Sequence, residues 1–196
     1  PKTPKPLRVQ ISKFIMSHVF HTNIRVDNFS FMAKDYTKYC FFLSHCHTDH
    51  IMGLTDSWNY GTIYASDISR RLIVDMFPNL KPHVVGLEMD EEHWIYLDEA
   101  KKEGISVVLM DACHCPGAVM FLFKGKMGTI LHTGDFRFHP KMLKHPKLVV
   151  SPSDDNKEQM GITIPIDYLH LDNTFANPEY DFPSREEAYK GLKRIV

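Results

Sequence analysis

The segment HCHTDH, residues 45–50, places three imidazoles and one carboxylate within six residues, directly after the apolar run YCFFLS. His45 and His47 are two residues apart, so an extended backbone points both side chains to the same side. Asp49 and His50 follow on a turn and can face a second point nearby. Neutral imidazole and carboxylate bind zinc well, whereas structural zinc sites mostly use cysteine. The segment therefore predicts a catalytic metal site and suits two adjacent ions better than one.

The composition is that of a single globular domain. A chain of 196 residues with 43% hydrophobic and 24% charged residues can bury a sizeable core. The net charge of −1 gives no overall basic field for nucleic acid, although a local basic groove is compatible with it. An apolar run of membrane length and a signal peptide are both absent, so we expect no membrane association. The four cysteines lack the spacing of a disulfide framework, which favours a reducing, intracellular compartment.

The two ends of the chain differ from its middle. Residues 1–20 are predicted to be a separate, solvated segment because they are locally basic, with Lys2, Lys5, Arg8 and Lys13. Residues 21–196 are predicted to be the folded domain. Ser184 and Glu187 have the pattern of a capping box, and apolar residues continue at helical spacing to Val196 without a stop signal. Since the chain also begins without a methionine, we expect it to be part of a longer protein.

Short apolar runs separated by polar turns predict a mixed α/β fold. The strand candidates are rich in β-branched and aromatic residues: YCFFLS (39–44), ISVVLMD (105–111), AVMFLF (118–123), GTILH (128–132) and IDYLHL (166–171). Between two of these runs, Lys124-Gly125-Lys126 predicts a hairpin turn. Residues 88–92 are acidic and residues 152–161 are polar, and both are predicted to be solvated.

Residues 66–77 predict an α-helix. Ser66 is a good N-cap, and Pro78 ends the pattern. Ile68, Leu72 and Met76 recur at helical spacing and define one apolar face.

Further candidate ligands come directly after predicted strands. His114 follows ISVVLMD on a tight Pro-Gly turn in DACHCPG, and Asp135 follows GTILH in HTGDFR. Asp172 follows IDYLHL. Polar side chains that collect at the ends of strands are typical of an active site built on loops. A cysteine ligand stays open as an alternative, because Cys46 and Cys115 flank candidate histidines.

The ordered set HxHxDH, then HCPG, then TGD resembles the metallo-β-lactamase superfamily. Together with DA before HCPG, TGDFR, LDNT and PEYDFPSREE, it resembles more narrowly the DNA-processing β-CASP nucleases, from Ile24 to the end of the chain. The fold that this implies is the α/β metallo-β-lactamase αββα sandwich. Residues 21–196 would form the N-terminal part of that fold only, with the β-CASP domain absent.

The resemblance implies a role for each matching residue. The implied metal ligands are His45, His47 and His114 for the first ion, Asp49 and His50 for the second, and Asp135 bridging both. The implied catalytic residues are Asp49, His50 and Asp135. Asp27 in IRVDNF and Asp172 in LDNT would support these ligands through hydrogen bonds. An ordinary turn role for Asp27 and a capping role for Asp172 stay open.

The sequence departs from the family pattern at two points. Cys113 stands where the family usually has Asn, so one supporting hydrogen bond is expected to be lost. The β-CASP insertion and a later histidine of the second metal site would lie beyond Val196. For Arg137 two roles are open, a contact with a phosphate oxygen and a salt bridge that holds the strand end, and we favour the salt bridge.

The implied function is metal-dependent phosphodiester hydrolysis by a nuclear 5′-to-3′ DNA exonuclease of interstrand-crosslink repair and telomere end processing. Two zinc ions about 3.5–4 Å apart would activate water and polarise the phosphate. The expected substrate partner is DNA with a 5′ end. A telomere protein is the second expected partner and would bind a C-terminal region that is absent here, which would place the protein on telomeric chromatin. A small-molecule thioester hydrolase of the same fold and a catalytically inactive binding paralogue are the alternatives. The 196-residue chain alone is expected to hold about one tight zinc ion and to show little nuclease activity.

Overall fold

The computed structural model describes residues 8–12, 17–19, 22–30, 39–97, 103–149 and 164–195. The strands in these ranges are β1 Arg8–Ser12, β2 Ser17–His18, β3 Ile24–Val26, β4 Cys40–Leu43, β5 Ile63–Ser66, β6 Val84–Leu87, β7 Glu92–Tyr96, β8 Gly104–Asp111, β9 Val119–Gly125, β10 Gly128–His132 and β11 Tyr168–Asp172. The helices are α1 Asp67–Met76 and α2 Arg185–Lys193, with short 3-10 helices at Pro78–Leu80 and Pro140–Lys144.

The strands form two sheets, and their order brings the ligand-bearing loops to one edge. The six-stranded sheet has the order β1-β11-β10-β9-β8-β7, and the five-stranded sheet has the order β2-β3-β4-β5-β6. Strands β3 to β6 run parallel to one another, as do β10, β11 and β1. Because parallel strands end at the same side of a sheet, the loops that follow β3 and β4 are neighbours.

An apolar core lies between the two sheets. Phe42 of the five-stranded sheet meets Phe121 and Phe123 of the six-stranded sheet edge to face, with ring centroids 5.4 and 4.9 Å apart. All three rings are fully buried. Edge-to-face aromatic pairs stabilise a core beyond the effect of the area that they bury. These contacts fix the sheets against each other below the loops that carry the candidate ligands.

The two outer faces of the sandwich are covered differently. Ile73 of α1 packs with Leu43 and Ala65 on the outer face of the five-stranded sheet. On the outer face of the six-stranded sheet, Met142 of the 3-10 helix Pro140–Lys144 packs with Leu148. The predicted two-sheet metallo-β-lactamase sandwich is confirmed. In the described ranges a 3-10 helix covers the face on which the αββα pattern leads us to expect an α-helix.

Helix α1 begins and ends as predicted, but its predicted apolar face is exposed. The backbone N–H of Ser69 donates to the Ser66 hydroxyl, which caps the helix. The residues of the predicted apolar face are between 42 and 51% exposed: Ile68, Leu72 and Met76. Ser69 and Ile73 are buried instead. The hydroxyls of Ser66 and Ser69 both donate to the carbonyl of Gly117, and this polar contact turns the Ile68 face outward.

Several predicted boundaries move by a few residues. The turn of the β9–β10 hairpin is at Lys126 and Met127, one residue later than predicted. The capping box of α2 is confirmed, since Ser184 and Glu187 cap each other. The helix ends at Lys193, and every one of its residues is exposed.

The predicted segments near the chain ends have different outcomes. The segment 1–20 contains β1 and β2, so part of it belongs to the sheets. The predicted loop 152–161 and Val196 lie outside the described residues.

Residues 88–92 are exposed, as predicted. Among the residues that the structure describes, no helix is both long and apolar enough to cross a membrane.

Gly53 is expected to be the glycine least tolerant of a side chain. Its φ is +94°, and a Cβ atom would lie 2.5 Å from backbone atoms of Phe29 and Ser30, which cannot move aside. Gly53→Ala should lower the free energy of unfolding by at least about 1–3 kcal/mol in urea denaturation. Gly191→Ala is the control, because nothing lies within 4 Å of its Cβ position and alanine favours α2. Equal stability of the two variants would contradict this prediction.

Candidate metal centre

Four loops at one edge of the sandwich converge on the candidate site. They are residues 44–50 after β4, residues 112–118 between β8 and β9, residues 133–137 after β10, and Asp27 after β3. The backbone N–H of Val119 donates to the carbonyl of Ser44 over 3.1 Å and so joins the two sheets at this edge. The predicted ligands therefore stand on backbone that is hydrogen-bonded across the sandwich.

The histidines form one compact cluster. The ring centroid of His45 lies 4.4 Å from that of His47, 4.0 Å from that of His50 and 4.9 Å from that of His114. His45 and His50 are buried, whereas His47 and His114 are more open to solvent. Nε2 of His114 is 3.2 Å from Nδ1 of His47. Residues separated by up to 69 positions in sequence thus present imidazole nitrogens to one another.

Asp135 lies close to three of the four histidines of this cluster. Its Oδ1 atom lies 3.3 Å from Nε2 of His50. Its Oδ2 atom lies 3.9 Å from Nε2 of His45 and 3.8 Å from Nε2 of His114. Gly134, with φ +52°, brings the backbone before Asp135 close to Ser44, where a Cβ atom would be only 3.0 Å from Cβ of Ser44. The carboxylate thus lies between His50 on one side and His45 and His114 on the other, and its bridging role stays a prediction.

A buried network led by Asp27 orients two of the imidazoles. The Asp27 carboxylate accepts hydrogen bonds from the backbone N–H and the hydroxyl of Ser44, over 2.7 and 2.6 Å. Nδ1 of His50 lies 2.8 Å from the same carboxylate. The Ser44 hydroxyl, having donated its proton to Asp27, accepts from Nδ1 of His45 over 3.0 Å. Both rings are therefore held at Nδ1, and Nε2 of each faces Asp135, as for histidine ligands held by a second hydrogen bond.

The electrostatics of the site follow from burial and from the two carboxylates. Burial, together with the nearby His50, lowers the pKa of His45 to about 3. Burial also lowers the pKa of His50, but the contacts with Asp135 and Asp27 outweigh it and raise this pKa to about 10. Burial raises the pKa of Asp27 against the opposing effects of His50 and Ser44. The hydrogen bond to His50 lowers the pKa of Asp135. His45 is consequently neutral, with a lone pair on Nε2.

The donor set fits a bound metal ion. Two groups of candidate ligand atoms lie within 4.8 Å of one another: His45, His47, His114 and Cys115, and His45, His50 and Asp135. The buried Nε2 atom of His45 is without a hydrogen-bond partner among the described residues. This nitrogen faces Oδ2 of Asp135 over 3.9 Å. Both atoms are hydrogen-bond acceptors, so a cation bound between them would stabilise the pair. Imidazole and carboxylate ligands with little thiolate suit zinc and similar divalent ions.

Not every predicted site residue enters these groups. Asp49 is half-buried and belongs to neither group, so its role as a ligand stays a prediction. The Asp172 carboxylate accepts from the N–H and the hydroxyl of Thr174, over 2.9 and 2.6 Å, which is the capping role left open above. The predicted salt bridge of Arg137 is wrong, because the partner of its side chain is a backbone carbonyl and not a carboxylate. Its guanidinium donates to the carbonyl of Pro183 over 2.7 Å and holds the segment before α2.

Two features of the site could not be read from the sequence. Ser44 connects Asp27 with His45, but a serine before a histidine carries no signal of its own. Cys113 has φ +54°, a conformation that Asn adopts more easily than Cys, and its thiol makes a 3.5 Å contact with Asp111. The four cysteines are free thiols, as their spacing predicted.

Asp27→Asn is expected to weaken zinc binding by about 10–100-fold, because the amide retains the shape but not the charge that orients His50. Asparagine also tolerates the φ of +52° at this position. His47→Ala removes a candidate ligand and should weaken binding further. Competition with a chelator measures both affinities. Equal affinities for the two variants would show that Asp27 does more than support the ligands.

Comparison with known proteins places the chain in a family. Residues 42–188 match the metallo-β-lactamase superfamily model. The 5′ exonuclease Apollo of Rattus norvegicus is 41% identical over 175 residues, which are 89% of this chain and 30% of the relative. The Danio rerio Apollo is 42% identical over 156 residues, 80% of this chain and 25% of the relative. Protein artemis of Gallus gallus is 36% identical over 170 residues, 80% of this chain and 23% of the relative.

These identities confirm the resemblance to the Apollo and Artemis group that the motifs indicate. The chain spans less than a third of the length of these relatives. The family model covers most of the chain, including every predicted metal ligand. The chain therefore belongs to the metallo-β-lactamase superfamily.

Proposed function

We propose that the protein is a metal-dependent nuclease that hydrolyses DNA phosphodiester bonds. The proposal rests on the cluster of His45, His47, His114 and Asp135 at a sheet edge. This cluster lies in a chain that is 36–42% identical to Apollo and artemis proteins. We further propose that the ions are zinc and that the complete protein holds two, with Asp49 and His50 on the second and Asp135 between them.

The residues of this chain would prepare the site. Ser44 and Asp27 hold His45 and His50 by Nδ1, so that both Nε2 atoms remain directed at the ions. Asp135 places one carboxylate oxygen on each side of the cluster. When bound, the metal would supply Lewis-acid activation of the phosphodiester and of the attacking water. No protein nucleophile is then required.

The outer part of the candidate site is exposed in the part of the chain that the structure describes. The side chains of His114 and Asp135 are 30 and 31% exposed, whereas His45 and His50 below them are buried. Among the described residues the cluster thus opens at the surface of the sandwich edge.

The finer proposal is a 5′-to-3′ exonuclease that acts in the nucleus, in interstrand-crosslink repair and in telomere end processing. Its support is the identity to proteins named 5′ exonuclease Apollo and to a DNA cross-link repair protein SNM1 of Arabidopsis thaliana, which is 38% identical over 157 residues. DNA with a 5′ end would be the substrate. A telomere protein would be the partner, bound outside the present chain.

A nuclease assay tests this proposal on the protein expressed from its complete coding sequence. The expected result is zinc-dependent shortening of a 5′-phosphorylated single-stranded oligonucleotide that carries a label at its 3′ end. The same oligonucleotide with a blocked 5′ end should resist. A glutathione thioester serves as the second substrate. Thioester hydrolysis without DNA cleavage would favour the small-molecule hydrolase, and inactivity on both substrates with metal bound would favour a binding paralogue.

A further inference from the structure

A cationic segment, residues 136–149, follows Asp135 directly along the chain. It contains four Lys and Arg side chains and no carboxylate, although the chain as a whole has a net charge of −1. We propose that two of these side chains, Lys144 and Lys147, bind phosphate groups of the substrate strand outside the metal centre. They position the strand and do not read its bases. The inference rests on the DNA substrate of the proposed function and names side chains that hold it.

The cationic segment begins at the loops of the candidate site. The backbone N–H of Arg137 donates to the carbonyl of Ala112 over 2.9 Å. Ala112 lies two residues before the candidate ligand His114, and Arg137 lies two residues after Asp135. A strand whose scissile phosphate lies at the metal centre can therefore continue along this segment.

The rest of the cationic segment is anchored on the outer face of the six-stranded sheet. Met142 and Leu148 are 8 and 1% exposed and belong to the apolar cluster on that face. Between these two anchors Lys144 is exposed and Lys147 is half-buried. Because the backbone is already ordered, binding of a strand costs only the freedom of the two side chains.

Lys144 and Lys147 differ from the other basic side chains of the segment, because they form no ion pair with any residue that the structure describes. The Arg137 guanidinium donates to a backbone carbonyl. The other three basic residues each face a carboxylate from another part of the chain: Lys141 faces Asp111, His145 faces Asp90 and His139 faces Glu186. The ammonium charges of Lys144 and Lys147 are therefore available to an anion.

A phosphodiester backbone is the anion that a DNA-hydrolysing enzyme has to hold. An ammonium group that binds a phosphate releases a condensed counterion, so the binding constant falls as salt is added. For single strands the logarithm of this constant falls against the logarithm of the salt concentration with a slope of about −0.7 for each phosphate bound. Each of the two lysines should therefore contribute to the affinity and to its salt dependence.

The salt dependence of DNA binding tests this inference on the protein expressed from its complete coding sequence. The probe is a fluorescent, 5′-phosphorylated oligothymidylate, and its anisotropy is followed in the Asp135→Ala background, where cleavage is slow. Lys144→Gln combined with Lys147→Gln should make the slope less negative by about 1.4, because two phosphate contacts are lost. In the active protein the same pair should raise KM with little change in kcat, as expected for lost strand binding.

Lys124 and Lys126 provide a matched control at the other end of the same sheet. They lie at the β9–β10 turn, and the seven residues of β9 separate this turn from the site by about 20 Å. Lys124 is half-buried like Lys147, and Lys126 is exposed like Lys144. Lys124→Gln combined with Lys126→Gln should leave the slope unchanged. Lys144→Arg combined with Lys147→Arg retains both charges and should also retain the slope.

The outcomes separate this inference from the proposed function. An unchanged slope in the Lys144 and Lys147 glutamine pair, or an equal loss in the control pair, would overturn the inference and leave the nuclease proposal intact. A loss that the arginine pair shares would show that the lysines act through structure and not through charge, which also overturns it. If the unmodified protein neither binds nor cleaves DNA, the proposed function and the inference are both wrong.

Discussion

Asp135→Ala is expected to lower the rate of DNA hydrolysis by the complete protein by about 10²–10³-fold or more. The two carboxylate oxygens of Asp135 face different histidines: Oδ1 lies 3.3 Å from Nε2 of His50, and Oδ2 lies 3.8 Å from Nε2 of His114. Removing it takes one ligand from each proposed ion, so the loss should exceed that of a single hydrogen-bond donor. The measurement is the initial rate on a 5′-phosphorylated oligonucleotide at saturating zinc.

Two further variants give this experiment its controls. Asp90→Asn removes a carboxylate that pairs with His145, far in sequence from the predicted ligands, and asparagine tolerates its φ of +65°. Its rate should remain unchanged. Asp49→Ala should also lose orders of magnitude if Asp49 is a ligand of the second ion. Near-normal activity of Asp135→Ala would overturn the proposed mechanism, and near-normal activity of Asp49→Ala would remove that residue from the site.

The positions of the main ligands were predictable because each follows a strand. His45 comes two residues after β4, His114 three residues after β8, and Asp135 three residues after β10. Strand patterns in sequence locate these ends, and the parallel run of β3 and β4 then brings their loops to one edge. That these residues bind a metal ion was predictable from their chemistry, because imidazole and carboxylate are common zinc ligands.

The supporting contacts were less predictable because they depend on tertiary distances. Asp27 was assigned from the resemblance alone, since its partner Ser44 is 17 positions away and carries no sequence signal. The exposed face of α1 was missed for a related reason. Apolar spacing indicates a helix, but the hydrogen bonds from Ser66 and Ser69 to Gly117 decide which side faces the sheet. A local sequence pattern does not reveal a hydrogen bond between residues that are some fifty positions apart.

His45→Gln is expected to abolish tight zinc binding by the 196-residue chain, with a loss of more than about 100-fold in affinity. His45 belongs to both groups of candidate ligands, and its Nδ1 is already bonded to Ser44. Only Nε2 remains, and one nitrogen binds one ion. In the proposed assignment the second ion has only Asp49, His50 and the shared Asp135 in this chain, so the unmodified chain should retain about one tightly bound zinc ion after dialysis.

The order of losses among histidine variants tests this assignment of ligands. His50→Gln removes a residue of one group only and should cost less zinc than His45→Gln. His93→Gln changes a histidine whose Nε2 is 2.9 Å from the carbonyl of Glu88, outside both groups, and should retain the full complement. Metal analysis after dialysis gives the stoichiometry, and circular dichroism shows whether each variant is folded. Two tight ions in the unmodified chain, or full zinc retention by a folded His45→Gln, would mean that the ligands divide between the ions in another way.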